Sequence, residues 1–145
     1  MSIPDFNAKG ELPAGEHQAT LDEIEIRYGR SSRRRKDLMK GLRQAGDKLA
    51  KAGVQMIWVN GSFITTKENP NDIDGCWAYN DAVDIQTLSD DFLSMDARQI
   101  VKNKYGLDFF IAQWMETGSG KPFPLFFQMN RDGEAKGIIV VNLGD

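Results

Sequence analysis

The chain has 145 residues and a mass of 16.3 kDa, enough for one domain with a sizeable core and too little for separate cofactor and substrate domains. With 41% hydrophobic and 27% charged residues it is not a wholly disordered or fibrous chain, and its single cysteine, Cys76, excludes an internal disulfide. The net charge of −3 is uneven: residues 27–51 hold ten Lys/Arg against two Asp/Glu, a basic block suited to phosphates or nucleic acid, or simply to a solvated helix face.

Residues 1–20 read as an extended arm, punctuated by Pro4, Gly10, Pro13 and Gly15. Residues 21–145 read as one domain. Thr20 followed by Glu23 fits a capping box for a short helix ending at Tyr28. A longer helix is expected over 32–52, because Leu38, Leu42, Ala45 and Leu49 form one apolar stripe. Ser31 or Ser32 caps it and Gly53 ends it. Its first turn carries arginines, which the helix dipole disfavours there; that placement suits a partner better than the helix.

Val54–Val59 reads as a strand broken by Asn60-Gly61-Ser62, then a helical turn or loop from Phe63 to Thr66. Ile73–Ala78 reads as a second strand. A second long helix is expected over Leu88–Lys104, with Ser89 as cap, Phe92, Leu93, Ile100 and Val101 as its apolar face, and Gly106 as its end. Leu107–Ala112 is an apolar strand carrying one acid, Asp108. Gly118–Pro124 reads as a loop, and Leu125–Met129 with Gly137–Leu143 as two strands joined at Asp132-Gly133. The order predicts an α+β (mixed α/β) domain, a mixed sheet flanked by two or three helices.

An Asp-x-Asp on a strand puts both carboxylates on one face, because side chains alternate. Asp72 and Asp74 are such a pair, with Ile73 turned to the core. Two acids on one face repel unless a cation sits between them. Hard divalent ions take carboxylate oxygens together with substrate phosphates. Asp108 is the natural third ligand, since a carboxylate in an apolar strand is costly without a partner. It has an alternative, pairing with an arginine such as Arg98. Asp84 is a rival third acid, but only ten residues after Asp74, too close for an intervening helix.

The run Gly61-Ser62-Phe63-Ile64-Thr65-Thr66-Lys67-Glu68-Asn69-Pro70-Asn71-Asp72-Ile73-Asp74, with Leu107-Asp108-Phe109 later, resembles the nucleotidyltransferase superfamily related to DNA polymerase β. In particular it resembles small bacterial and phage proteins with that core, over most of the chain. The resemblance implies a minimal nucleotidyltransferase-like fold. It implies that Gly61 lets the backbone approach a triphosphate, that Ser62 bonds a phosphate, and that Lys67 neutralises one. It also implies that Asp72, Asp74 and Asp108 hold Mg²⁺ (or Mn²⁺), with Asp108 favouring deprotonation of the attacking hydroxyl. NTP would be the donor, and a protein, RNA or small-molecule hydroxyl the acceptor. Small stand-alone proteins of this kind often belong to toxin–antitoxin or phage-defence modules. The helical domain of larger members has no counterpart after Asp108, which favours the alternative of a catalytically inactive module, for instance an antitoxin, binding a partner protein or RNA.

The remaining features read as follows. Arg30, Arg33, Arg34, Arg35 and Lys36 are a candidate anion-binding patch; an antiparallel return of the first strand would bring Ser62 to their end of the helix. His17 is a lone histidine with a structural or solvent role. Cys76, Trp58, Trp77, Trp114, Phe109, Phe110, Phe126 and Phe127 read as core. The N-terminal ten residues lack the apolar segment of a leader, and no apolar run approaches the roughly 20 residues of a membrane helix; the expectation is a cytoplasmic protein without membrane contact.

Overall fold

The computed structural model describes residues 3–88, 92–93 and 97–144. Gly15–Gln18 forms β1, and Leu21–Tyr28 forms α1. The Glu23 N–H donates to Thr20 Oγ1 at 3.1 Å and the Thr20 N–H donates to the Glu23 carboxylate at 3.0 Å, so the capping box satisfies two donors reciprocally. α2 runs over Arg33–Lys51, capped by the Ser32 hydroxyl, which accepts from the Arg35 N–H. Its stripe Leu38, Leu42, Ala45 and Leu49 is buried, and truncating either of the last two leucines to alanine would cost about 2–5 kcal/mol.

β2 is Met56–Asn60, followed by a 3₁₀ turn at Ser62–Ile64 and by β3 at Ile73–Trp77. α3 is Arg98–Tyr105, and β4 is Leu107–Ile111. Met115–Glu116 (β5) and Lys121–Pro122 (β6) pair as a small separate sheet, and Phe123–Phe126 (α4) is one helical turn. β7 is Gly137–Asn142. The main sheet has the order β1-β7-β2-β3-β4. Its outer pairs, β1–β7 and β3–β4, are parallel and its inner pairs antiparallel. This is an α+β fold with a mixed sheet.

Alternation divides the sheet's two faces. Ile57, Val59, Ile73, Trp77, Leu107 and Phe109 join the main core with α1, α2 and α3. Cys76, Ala112 and Ile138 face the other way, under Phe123 and Phe127. Gly75 fits this packing because a Cβ there would lie 2.2 Å from the Trp58 carbonyl oxygen and 2.5 Å from the Phe109 ring. The close approach of strand and ring accounts for that glycine. Among the described residues no helix is long and apolar enough to cross a membrane.

Several elements differ from the sequence expectation. The stretch expected as an extended arm holds β1, and its Ile3 and Leu12 are buried in the core; β7 offers an edge with which residues 15–18 pair, a partner more than a hundred residues away. The helix expected over Leu88–Lys104 is described only as Arg98–Tyr105, and Ser89 lies outside the described residues. Its buried residues are Val101 and Tyr105, while Ile100 is exposed. Within Gly118–Pro124 lie β6 and the start of α4. Leu125–Met129 is not a strand. Phe123, Phe126 and Phe127 stand at helical spacing, and one turn sets Phe123 and Phe127 against Phe110, with Phe126 against Phe123 and Phe127. The Asp132-Gly133 turn is present, but it closes on a single Met129–Ala135 bridge before the chain enters β7.

Candidate metal centre

Three carboxylates meet at one end of the sheet. β3 and β4 run parallel in a register that sets Asp74 directly opposite Asp108. Asp72 precedes β3 by one residue, on the same side as Asp74. Asp72, Asp74 and Asp108 each present an oxygen, all within 4.8 Å of one another. Hard divalent ions bind such oxygens at about 2.0–2.6 Å, so the donor set fits a cation of this kind.

The protein's own cations approach the same oxygens. Arg98 Nε and Nη2 lie 2.9 Å from the two oxygens of Asp108, a bidentate pair. Lys102 Nζ lies 3.0 Å from Asp72. Both come from α3, one helical turn apart. Lys136 Nζ donates to the Oδ1 of buried Asn60, which stands opposite Asp74 across β2 and β3. Asp74 makes no ion pair among the described residues. Burial, with the charges of Asp72 and Asp108, pushes its carboxyl up to about 7, against the pull of Lys136 and Lys102. Burial lowers the Lys136 pKa, and the hydrogen bond to Asp72 raises that of Lys102.

Gly61 adjoins this cluster. Its φ of 85° and ψ of −167° lie in a region reserved to glycine. A Cβ there would fall 2.5 Å from Asp74 Oδ2, so the turn after β2 passes directly over the acid. Ser62 opens the 3₁₀ turn beside it. Lys67 is exposed farther along the same loop.

Arg35 departs from the sequence expectation. It is not part of a ligand-binding patch: only 3% of it is exposed. Its guanidinium donates to the carbonyls of Tyr28, Ser62, Phe63, Thr65 and Lys67. Tyr28 ends α1 and the other four lie in the 62–67 turn, where the Ser62 carbonyl also accepts from the Thr65 N–H; one planar five-donor group gathers all five. The contacts also bring Ser62 to the arginine end of α2, as the antiparallel return of β2 requires. Arg30, Arg33, Arg34 and Lys36 remain exposed; Arg33 pairs with Asp37 and Arg30 with Glu25, both at the surface.

The rival acid Asp84 lies in an exposed turn, where its oxygens accept from the Gln86 N–H and the Thr87 hydroxyl. It takes no part in the cluster. His17 Nε2 contacts the Pro13 carbonyl at 2.6 Å, a structural role. Arg98 realises the alternative open to Asp108 in the sequence, and it does so inside the acid cluster. Lys102 was legible only as the residue one turn after Arg98. Asn60 and Lys136 carried no local signal, since strand pairing alone brings them to Asp74.

The chain belongs to DUF6932, a family of unknown function whose model matches residues 4–142. No curated protein and no solved structure matches it.

Proposed function

We propose that this DUF6932 member is a metal-dependent nucleotidyltransferase, moving a nucleotidyl group from an NTP to a hydroxyl of a protein, RNA or small molecule. The observation that carries the reading is the convergence of Asp72, Asp74 and Asp108 beside the Gly61 turn. A divalent ion such as Mg²⁺ or Mn²⁺, held by those three carboxylates, would supply charge neutralisation and polarisation of phosphate oxygens. Gly61 keeps a backbone without a side chain over Asp74, leaving room for phosphates. Ser62 supplies a hydroxyl donor at the head of the 3₁₀ turn, and Lys67 a cation on the same loop. Asp108 takes the proton of the attacking hydroxyl as its oxygen bonds the α-phosphorus. The α–β phosphoanhydride bond breaks and pyrophosphate leaves. Such a step rests on positioning and charge stabilisation more than on covalent chemistry. A cytoplasmic setting and a role within a toxin–antitoxin or phage-defence module fit this reading.

One observation favours a second reading, a non-catalytic module that binds a partner protein or RNA. Arg98 grips both oxygens of Asp108, the acid that would otherwise take the proton. Incubation with each α-labelled NTP and Mn²⁺ separates the two. Pyrophosphate release and label transfer, both abolished in Asp74→Asn, support the enzyme. Absence of release with every NTP, in a protein that binds Mn²⁺, selects the module.

A further inference from the structure

We propose that Arg98 and Lys102 form a cationic latch over the acid cluster, which a divalent ion must displace and which a polyphosphate then takes up. The inference rests on the metal reading above and adds to it a ligand class and an interdependence of binding.

Arg98 meets both oxygens of Asp108 at 2.9 Å, and Lys102 meets Asp72 at 3.0 Å. These are oxygens a metal ion would use. Metal and latch therefore compete for the same lone pairs, and the affinity for a metal ion alone is reduced by what the latch contributes. The latch can open. The side chains of Arg98 and Lys102 are 40% and 42% exposed, whereas Asp108 and Asp72 are 16% and 18% exposed. The cations thus hang from the helix at the rim, and the carboxylates are the fixed part. The Arg98 guanidinium also lies 4.6 Å from the centre of the Phe110 ring, a face on which it keeps a resting place near the site.

Charge then decides the ligand. The three carboxylates are matched by Arg98, Lys102 and Lys136. Divalent ions added to that set leave an excess of positive charge, and two released cations stand beside it. A polyanion with several closely spaced charges balances the excess, and a guanidinium fork suits phosphate oxygens as well as a carboxylate. Metal ion and polyphosphate therefore bind with mutual strengthening, each raising the other's affinity by the same factor. Arg98 and Lys102 act in this account as positioning cations, and nothing requires them to touch the reacting atoms.

The test compares wild type with Arg98→Met/Lys102→Met, which keeps the apolar stems, and with Lys104→Met. Lys104 lies on the same helix, near the Tyr105 ring, and makes no ion pair among the described residues. Mn²⁺ affinity is read from the rise in melting temperature, with and without inorganic triphosphate at fixed free Mn²⁺. The latch predicts that the double variant binds Mn²⁺ alone about tenfold more tightly than wild type, within the usual span of coupling between ligands. Lys104→Met should change that affinity by less than about twofold. Triphosphate should tighten Mn²⁺ binding to wild type about tenfold and to the double variant much less. Equal Mn²⁺ affinity in wild type and double variant, or equal enhancement by triphosphate, overturns the latch and leaves the metal reading intact. No saturable Mn²⁺ binding by either protein overturns both. Should the double variant fail to fold, Arg98→Lys keeps the charge and loses the fork; it should bind Mn²⁺ more tightly than wild type, and unchanged affinity overturns the proposal.

Discussion

Asp74 faces Asp108 directly across the parallel β3–β4 pair. Like charges set opposite each other destabilise a sheet, and the Arg98 fork offsets only the Asp108 side. Asp74 keeps its place half-buried and without an ion pair among the described residues, with its carboxyl held up to about 7. Carboxyls perturbed by burial and by like charges gather at functional sites, which is why the cluster stands as the functional candidate.

Stability should carry the mark of this carboxyl. An unfolded aspartate loses its proton near pH 3.9, about three units below folded Asp74. Between those values the folded state binds the extra proton, so stability declines as pH rises from about 4 to about 7 and is level above. In the presence of a chelator, Asp74→Asn should match wild type near pH 4 and exceed it by about 1–3 kcal/mol at pH 8. Urea denaturation across that range checks this, and an unchanged decline in the variant assigns the effect to another group.

Millimolar Mn²⁺ should raise the melting temperature of the wild type by several degrees, because binding to the folded state alone stabilises by mass action. Asp72→Asn/Asp74→Asn should show no such rise. A flat wild-type titration counts against a metal site made of these residues.

Gly61→Ala meets two obstacles at once, a left-handed φ of 85° and a Cβ placed 2.5 Å from Asp74 Oδ2. The expected cost is about 1–3 kcal/mol. Because the added methyl intrudes on Asp74, Mn²⁺ binding should weaken as well. A variant with lowered stability and unaltered Mn²⁺ affinity would place the turn away from the functional oxygens.

The basic end of α2 separates into two roles. Arg35→Ala strips partners from several buried carbonyls and should cost about 2–4 kcal/mol. Arg30→Ala/Arg33→Ala/Arg34→Ala removes only exposed charge and surface ion pairs, so its stability should change by about 0.5 kcal/mol or less. If these arginines meet a polyanionic acceptor, the triple variant should bind a model RNA more weakly and with a flatter salt dependence. Equal binding at low salt makes the cluster a solvated face.

Local signals in the sequence determined most of the elements. The stripe on α2, the capping residues Thr20 and Ser32, and the apolar runs of β2, β3, β4 and β7 act over a few residues, so spacing alone reveals them. The same applies to the shared side of Asp72 and Asp74, which follows from strand alternation. Only the tertiary structure decided what those acids meet. The pairing of β3 with β4 sets Asp108 opposite Asp74, and the pairing of β2 with β3 and β7 brings Asn60 and Lys136 to the same end of the sheet. Arg35 reads as one more charge in a basic run until the 62–67 turn wraps its carbonyls around it. Phe126 and Phe127 look strand-like until Phe110 gives one helical turn, begun at Phe123, a surface to cover. Each of these outcomes depends on contacts between segments far apart in the chain, whose energies no short window of sequence contains.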